Sequence, residues 1–147
     1  MAVVSRDHDR NLIEVWTEKI SPGSSIRGDA EATWCAICKA VAKGFNKIII
    51  EGDAWNVIDP LQKSSLLPHW SIKTIVEDIL NLAKSFVNIN FSFVYREGNM
   101  SAHLLAKWAT FLLWIGPCPS PPYRLELFRL WIEMDSGPAL LTVIKNK

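Results

Sequence analysis

Cysteine is scarce and odd in number: Cys35, Cys38 and Cys118 are all that 147 residues contain. Three thiols cannot form the framework that staples small secreted domains, so a reducing compartment is expected. Long apolar runs are missing as well. A membrane-spanning helix needs ~18 consecutive apolar residues, and the longest candidate, Phe111 to Ile115, falls far short. Arg6, Asp7, Asp9 and Arg10 stand where a signal peptide would carry its apolar stretch. These absences predict an intracellular protein, nuclear or cytoplasmic, with no membrane partner. An excess of one charge is lacking too: 16 basic and 15 acidic residues leave +1. That excludes a nucleic-acid binder held mainly by net charge, so any such contact has to come from a local patch.

What is present fits one globular domain with an appendage, because 49% of the residues are apolar and 21% charged. Ala2 to Ser5 and Leu12 to Ile20 read as two strands of a hairpin, joined by the Asp- and Asn-rich turn from Arg6 to Asn11. Asp29 is the expected N-cap of a helix running to about Lys43, with Gly44 as its C′ residue. Its apolar face is read from the spacing of Trp34, Cys35, Cys38, Val41, Ala42 and Phe45. Ile48 to Ile50 suits a strand covered on both faces. Ala54 to Asp59 is a short helix stopped by Pro60, and Gln62 to Pro68 a loop. Ser71 to Ser85 has amphipathic helical spacing, and Ile89 to Tyr95 alternates as a strand. A turn at Arg96 to Asn99 leads into a closing helix, Ser101 to Leu113. Prolines 117, 119, 121 and 122 break the chain before a tail with a possible helix, Tyr123 to Met134, and an apolar end, Ala139 to Ile144. The division is thus a domain over 1–113 and a Pro-rich linker and tail over 114–147. The order predicts an α/β fold: a mixed sheet, hairpin plus parallel strands, covered by helices.

Three polar positions stand out. Asp53 ends a buried strand, where α/β sheets bind ligands and where a carboxylate can hold a hard divalent cation; N-capping of the next helix is the ordinary alternative and, from this strand alone, the favoured one. Glu31 lies in the first turn of its helix, where an acid is stabilised by the macrodipole. Asn99 and His103 fall four residues apart, on one helical face. Cys35 and Cys38 have the spacing of a redox or zinc half-site, but core packing is the better reading without a second pair. His8 and His69 read as solvated. Lys39, Lys43 and Lys47 can meet a phosphate backbone or simply face water. Trp55 and Trp70 can stack on bases, although tryptophan is more often buried.

The segments Val3 to Asp7 with Asn11 and Leu12, Ala30 to Ala32, Ile49 to Asp53, Val94 to Asn99 and Ala102 to Ala106, in this order and spacing, resemble the ribonuclease H-like domain over about Ala2 to Trp108. The form resembled is the one plants carry in retroelement-derived and stand-alone proteins. The resemblance implies a sheet of three antiparallel strands followed by two parallel to the first, with helices on both faces. It implies cleavage of RNA in RNA–DNA hybrids by two magnesium ions, or manganese, held by acids. Glu31 and Asp53 then match the metal-binding acids, His103 occupies the position of the last acid, and Asn99, Lys39 and Lys43 are candidate nucleic-acid contacts. The predicted geometry is convergence of Glu31 and Asp53 in one pocket near His103.

Two departures accompany the match. No residue here matches the family's first-strand aspartate, and a neutral imidazole at 103 is a poorer magnesium ligand than a carboxylate. The missing strand lies mid-sheet, between the hairpin and Ile48–Ile50, and buried unpaired edges are costly. The alternatives are that the two halves close up, that Ala139–Ile144 of this chain or a neighbour enters as a substitute strand, or that Met1 is not the true start, the reading preferred here. Hybrid ribonuclease is therefore the ancestral function expected, with an inactive nucleic-acid-binding remnant or a protein-interaction module as alternatives.

Overall fold

The computed structural model describes residues 1–9, 11–17, 24–63, 67–99, 107 and 143–145. Strands β1 (Ala2–Asp7) and β2 (Leu12–Thr17) form the expected antiparallel hairpin, with Ala2 opposite Thr17 and a register shift between Ser5 and Arg6. Asp7 holds its turn. Its carboxylate accepts from the Asn11 backbone at 2.8 Å, the Asn11 amide at 3.0 Å and the Asp9 backbone at 2.9 Å. These bonds, led by the Asn11 side chain, lower its pKa.

Helix α1 (Ser25–Ala42) begins one turn earlier than expected, with Ser24 at the N-cap, so Asp29 is not a cap and Glu31 is not in the first turn. The buried face also differs: Ala30, Thr33, Ala36, Ile37 and Ala40 point inward, together with Cys35, whereas Trp34 and Val41 are exposed. Small residues let α1 lie close to β1, β3 and α3, and Trp34 and Val41 of the expected stripe are turned away. The helix ends as predicted at Gly44, which has φ +67°. Gly44 N–H donates to Val41 O and Phe45 N–H to Ala40 O, a paired closure that requires the left-handed residue.

Strands β3 (Lys47–Gly52) and β4 (Asn88–Phe93) pair in parallel, Lys47 with Asn88 through Gly52 with Phe93. Between them in sequence come α2 (Trp55–Gln62), a 3₁₀ turn (Trp70–Ile72) and α3 (Lys73–Ala83). Pro60 does not stop α2 but lies inside it, buried beside Val57, Ile58 and Leu61. In an eight-residue helix, a proline near the end deletes one ladder bond and its ring packs into the core instead. Gln62 ends the helix and donates to Phe91 O at 2.8 Å, tying α2 to β4. The core collects Val3, Val4, Ile37, Ile48, Ile50, Ile58, Ile72, Val76 and Ile79 between the strands and the helices.

A short strand, β5 (Val143–Lys145), pairs in parallel with β1, Ser5 opposite Val143 and Asp7 opposite Lys145. It lies on the edge of β1 away from β2 and also against β3. A strand from the apolar end of the tail thus stands where the resemblance implies a middle strand, but the implied strand would run antiparallel to β1. The expected helices over 101–113 and 123–134 lie outside the described residues, apart from Lys107. Among the described residues, no helix is long and apolar enough to cross a membrane.

Candidate nucleic-acid interface

The carboxyl end of β3 delivers Asp53. Ala54 occupies the N-cap of α2 and makes no side-chain cap bond, so the capping alternative for Asp53 does not hold. Gly52 lets Ile58 pack closely on the end of β3: a Cβ there would come within 3.1 Å of Ile58 Cδ1. Asp53 Oδ1 instead accepts from Asn99 Nδ2 at 2.5 Å, across 46 residues of sequence. Asn99 is fixed by the turn after β4, in which Gly98 N–H donates to Tyr95 O and Asn99 N–H to Arg96 O. Asn99 is only 7% exposed, and its Oδ1 has no hydrogen-bond partner among the described residues.

A second carboxylate, Asp29, lies within electrostatic reach of Asp53. Burial pushes the Asp29 pKa above the ordinary aspartate value and the charge of Asp53 pushes it the same way, while Arg96 opposes them. Sequence spacing assigned Asp29 to a cap; once the helix starts at Ser25, Asp29 falls on its second turn. Glu31 is about 200° further round the helix, where its Oε1 accepts from Arg27 Nε at 2.9 Å. His103 lies outside the described residues. Lys39 is exposed in the last turn of α1, and Lys43 Nζ makes a 2.7 Å ion pair with Glu14 on β2. Along α1, Lys39 is roughly 15 Å from Asp29 and Lys43 roughly 21 Å.

The aromatic rings expected in the core are at the surface. Trp55 is 50% and Trp70 83% exposed. Trp55 meets Phe93 edge-on at 5.1 Å, Phe93 meets Tyr95 at 5.5 Å, and Lys63 Nζ sits 5.6 Å from the Trp55 ring centre. His69 is solvated as expected, and its Nδ1 also caps the 3₁₀ turn by accepting from Ser71 N–H. Cys35 is buried and Cys38 half-buried, with the Cys38 thiol pushed up by burial, as packing rather than reactive cysteines require.

The family model described as reverse transcriptase-like matches residues 1–109. The chain belongs to that family. A solved structure, the N-terminal RNase H domain of Rv2228c from Mycobacterium tuberculosis fused to maltose-binding protein, superposes with a TM-score of 0.64 at 18% identity, covering 69% of this chain and 79% of that one. No curated protein matches the chain. The reverse transcriptase-like domain therefore has the ribonuclease H-like α/β fold, and Asp53 and Asn99 meet at the carboxyl end of its parallel pair. Among the described residues, no three of His, Cys, Asp and Glu are grouped to hold a metal ion.

The raised Asp29 pKa has a measurable consequence. Protonation is easier folded than unfolded, so stability falls as pH rises from the ordinary aspartate value through the folded one. Asp29→Asn is expected to flatten that slope in urea titrations across the acid range. Above it the variant is the more stable, by less than about 1 kcal/mol because solvent screens the partly open side chain.

Proposed function

We propose that this domain binds nucleic acid, RNA–DNA hybrid above all, and that it binds the hybrid without cleaving it efficiently. The observation that carries the reading is the Asp53–Asn99 pair. An acid at the end of a parallel strand is freed from capping and held by a buried amide, inside a ribonuclease H-like fold. In this reading Arg96 and the amide of Asn99 meet the backbone at the acidic end, and Lys39 and Lys43 meet it further along α1. The 15–21 Å between them spans on the order of four to six base steps. Magnesium or manganese at the Asp53 carboxylate would supply positive charge toward phosphate there, whereas Glu31 is turned to Arg27 and takes no part in that set. Inefficient cleavage is supported by β5, which pairs with β1 on the side toward β3 and, as Val143, Ile144 and Lys145, brings no carboxylate there.

The test is fluorescence anisotropy with a labelled RNA–DNA hybrid beside single-stranded RNA and duplex DNA. Hybrid is expected to bind most tightly, and two or three phosphate contacts set a salt slope of roughly −2 to −3 in log K against log salt. Equal, slope-free or absent binding of all three contradicts the reading.

A further inference from the structure

The ladder between β1 and β5 covers Ser5–Asp7, whereas β1 itself spans Ala2–Asp7. On its other side β5 lies against β3, yet among the described residues β3 is paired only with β4, in a separate sheet. The opening between β1 and β3 is therefore one strand wide, and its occupant is hydrogen-bonded along one edge over half the length available. Residues 142, 141 and 140 precede it in an apolar run, Ala139 to Ile144, with the composition of a strand. The occupant reaches the slot through residues 108–142, which include prolines 117, 119, 121 and 122. That stretch can reach roughly 115 Å, and proline favours extended backbone over tight return.

We propose that the slot between β1 and β3 is a strand-exchange site whose partner is a second copy of this chain. Residues 143–145 of one copy fill the slot of the other, and the exchange is reciprocal. The identical strand already fits there, so a second copy makes the same contacts without any new surface, which is what makes exchange of one element a low-cost route to a dimer. Short pairing on one edge leaves few bonds to break on opening. The connection from Lys107 to Val143 has enough residues to reach a second molecule. The inference does not depend on nucleic-acid binding, and its test uses none.

The register supplies the experiment. Ser5 and Val143 are Cα partners in adjacent strands, a separation of about 4.8 Å that suits a disulfide. The full chain carrying Ser5→Cys and Val143→Cys is oxidised from about 10 μM to about 1 mM and run on a denaturing gel without reductant, beside each single variant. A tethered strand has an effective concentration in the millimolar range. Mostly cross-linked monomer is therefore expected at the low end, and a several-fold rise in cross-linked dimer specific to the double variant at the high end. Cross-linked monomer alone at every concentration overturns the exchange, and absence of any 5–143 bond overturns the slot. Light scattering on the unmodified chain gives the reading that needs no substitution: the mass is expected to climb toward that of two chains over the same range, and a constant single-chain mass contradicts the proposal.

Discussion

Ile37→Ala is expected to lower the unfolding free energy by about 2–5 kcal/mol, the cost of truncating a fully buried aliphatic side chain. Ile37 is 0% exposed, on the face of α1 that meets β1, β3 and α3. Its neighbours Ala36 and Ala40 are already as small as side chains become, so they cannot expand into the space left behind. A domain of this size has about 5–15 kcal/mol in total, and the variant is expected to lose a large share of it. Trp34→Ala, three residues earlier, removes a larger side chain that is 44% exposed. It is expected to stay within about 0.5–1 kcal/mol. Urea unfolding of both variants checks the pair, and the reverse ranking would place α1 in the wrong rotation.

That contrast shows what local pattern can and cannot supply. The spacing of Trp34, Cys38, Val41 and Phe45 is a good helical stripe, and so is that of Ala30, Thr33, Ile37 and Ala40. Hydrophobicity alone favours the first. Close packing of a helix against strands selects the second, because its small side chains admit the approach. Punctuation signals were more readable. Gly44 marks the end of α1 through its backbone freedom, and Asp7 with Asn11 makes the hairpin turn. Pro60 misled, since a proline in a short buried helix can remain as a core residue. The exposed Trp55 and Trp70 were equally hidden, because residue type sets only an average burial.

The Asp53–Asn99 bond leads to the second large effect. Asn99→Ala is expected to destabilise the fold by about 1.5–3 kcal/mol, the range for a hydrogen bond to a charged group. Removing the amide leaves the Asp53 carboxylate without its donor and detaches the turn at Tyr95–Asn99 from the end of β3. A double-mutant cycle with Asp53→Ala separates the bond from the lost packing: a coupling of about 1–2 kcal/mol is expected. Strict additivity would mean that the two side chains do not act together.

The candidate site was legible in part for the same reason. Asp53 could be placed at a strand end because a run of isoleucines announces the strand. Its hydrogen-bond partner Asn99 is 46 residues away in sequence, and Asp29, which feels its charge, is 24 away. Periodicity contains no such pairing. Nor does it separate Asp29 from Glu31, two acids in neighbouring positions on opposite sides of one helix. That distinction depends on where the helix begins, and Ser24 rather than Asp29 begins it. The strand β5 was legible only as one of three ways of filling the sheet, since its apolar run matches an interior strand and says nothing of direction.

The most direct test of binding without efficient cleavage is a single incubation. The full chain and its Asp53→Asn variant are mixed with a hybrid labelled on the RNA strand, in magnesium and in manganese, and the RNA is resolved on a denaturing gel while binding is followed in parallel. The account predicts that the full chain binds the hybrid and leaves its RNA intact, and that the RNA stays equally intact with Asp53→Asn. RNA cut by the full chain and spared by Asp53→Asn would contradict it, and would make this domain a working hybrid ribonuclease.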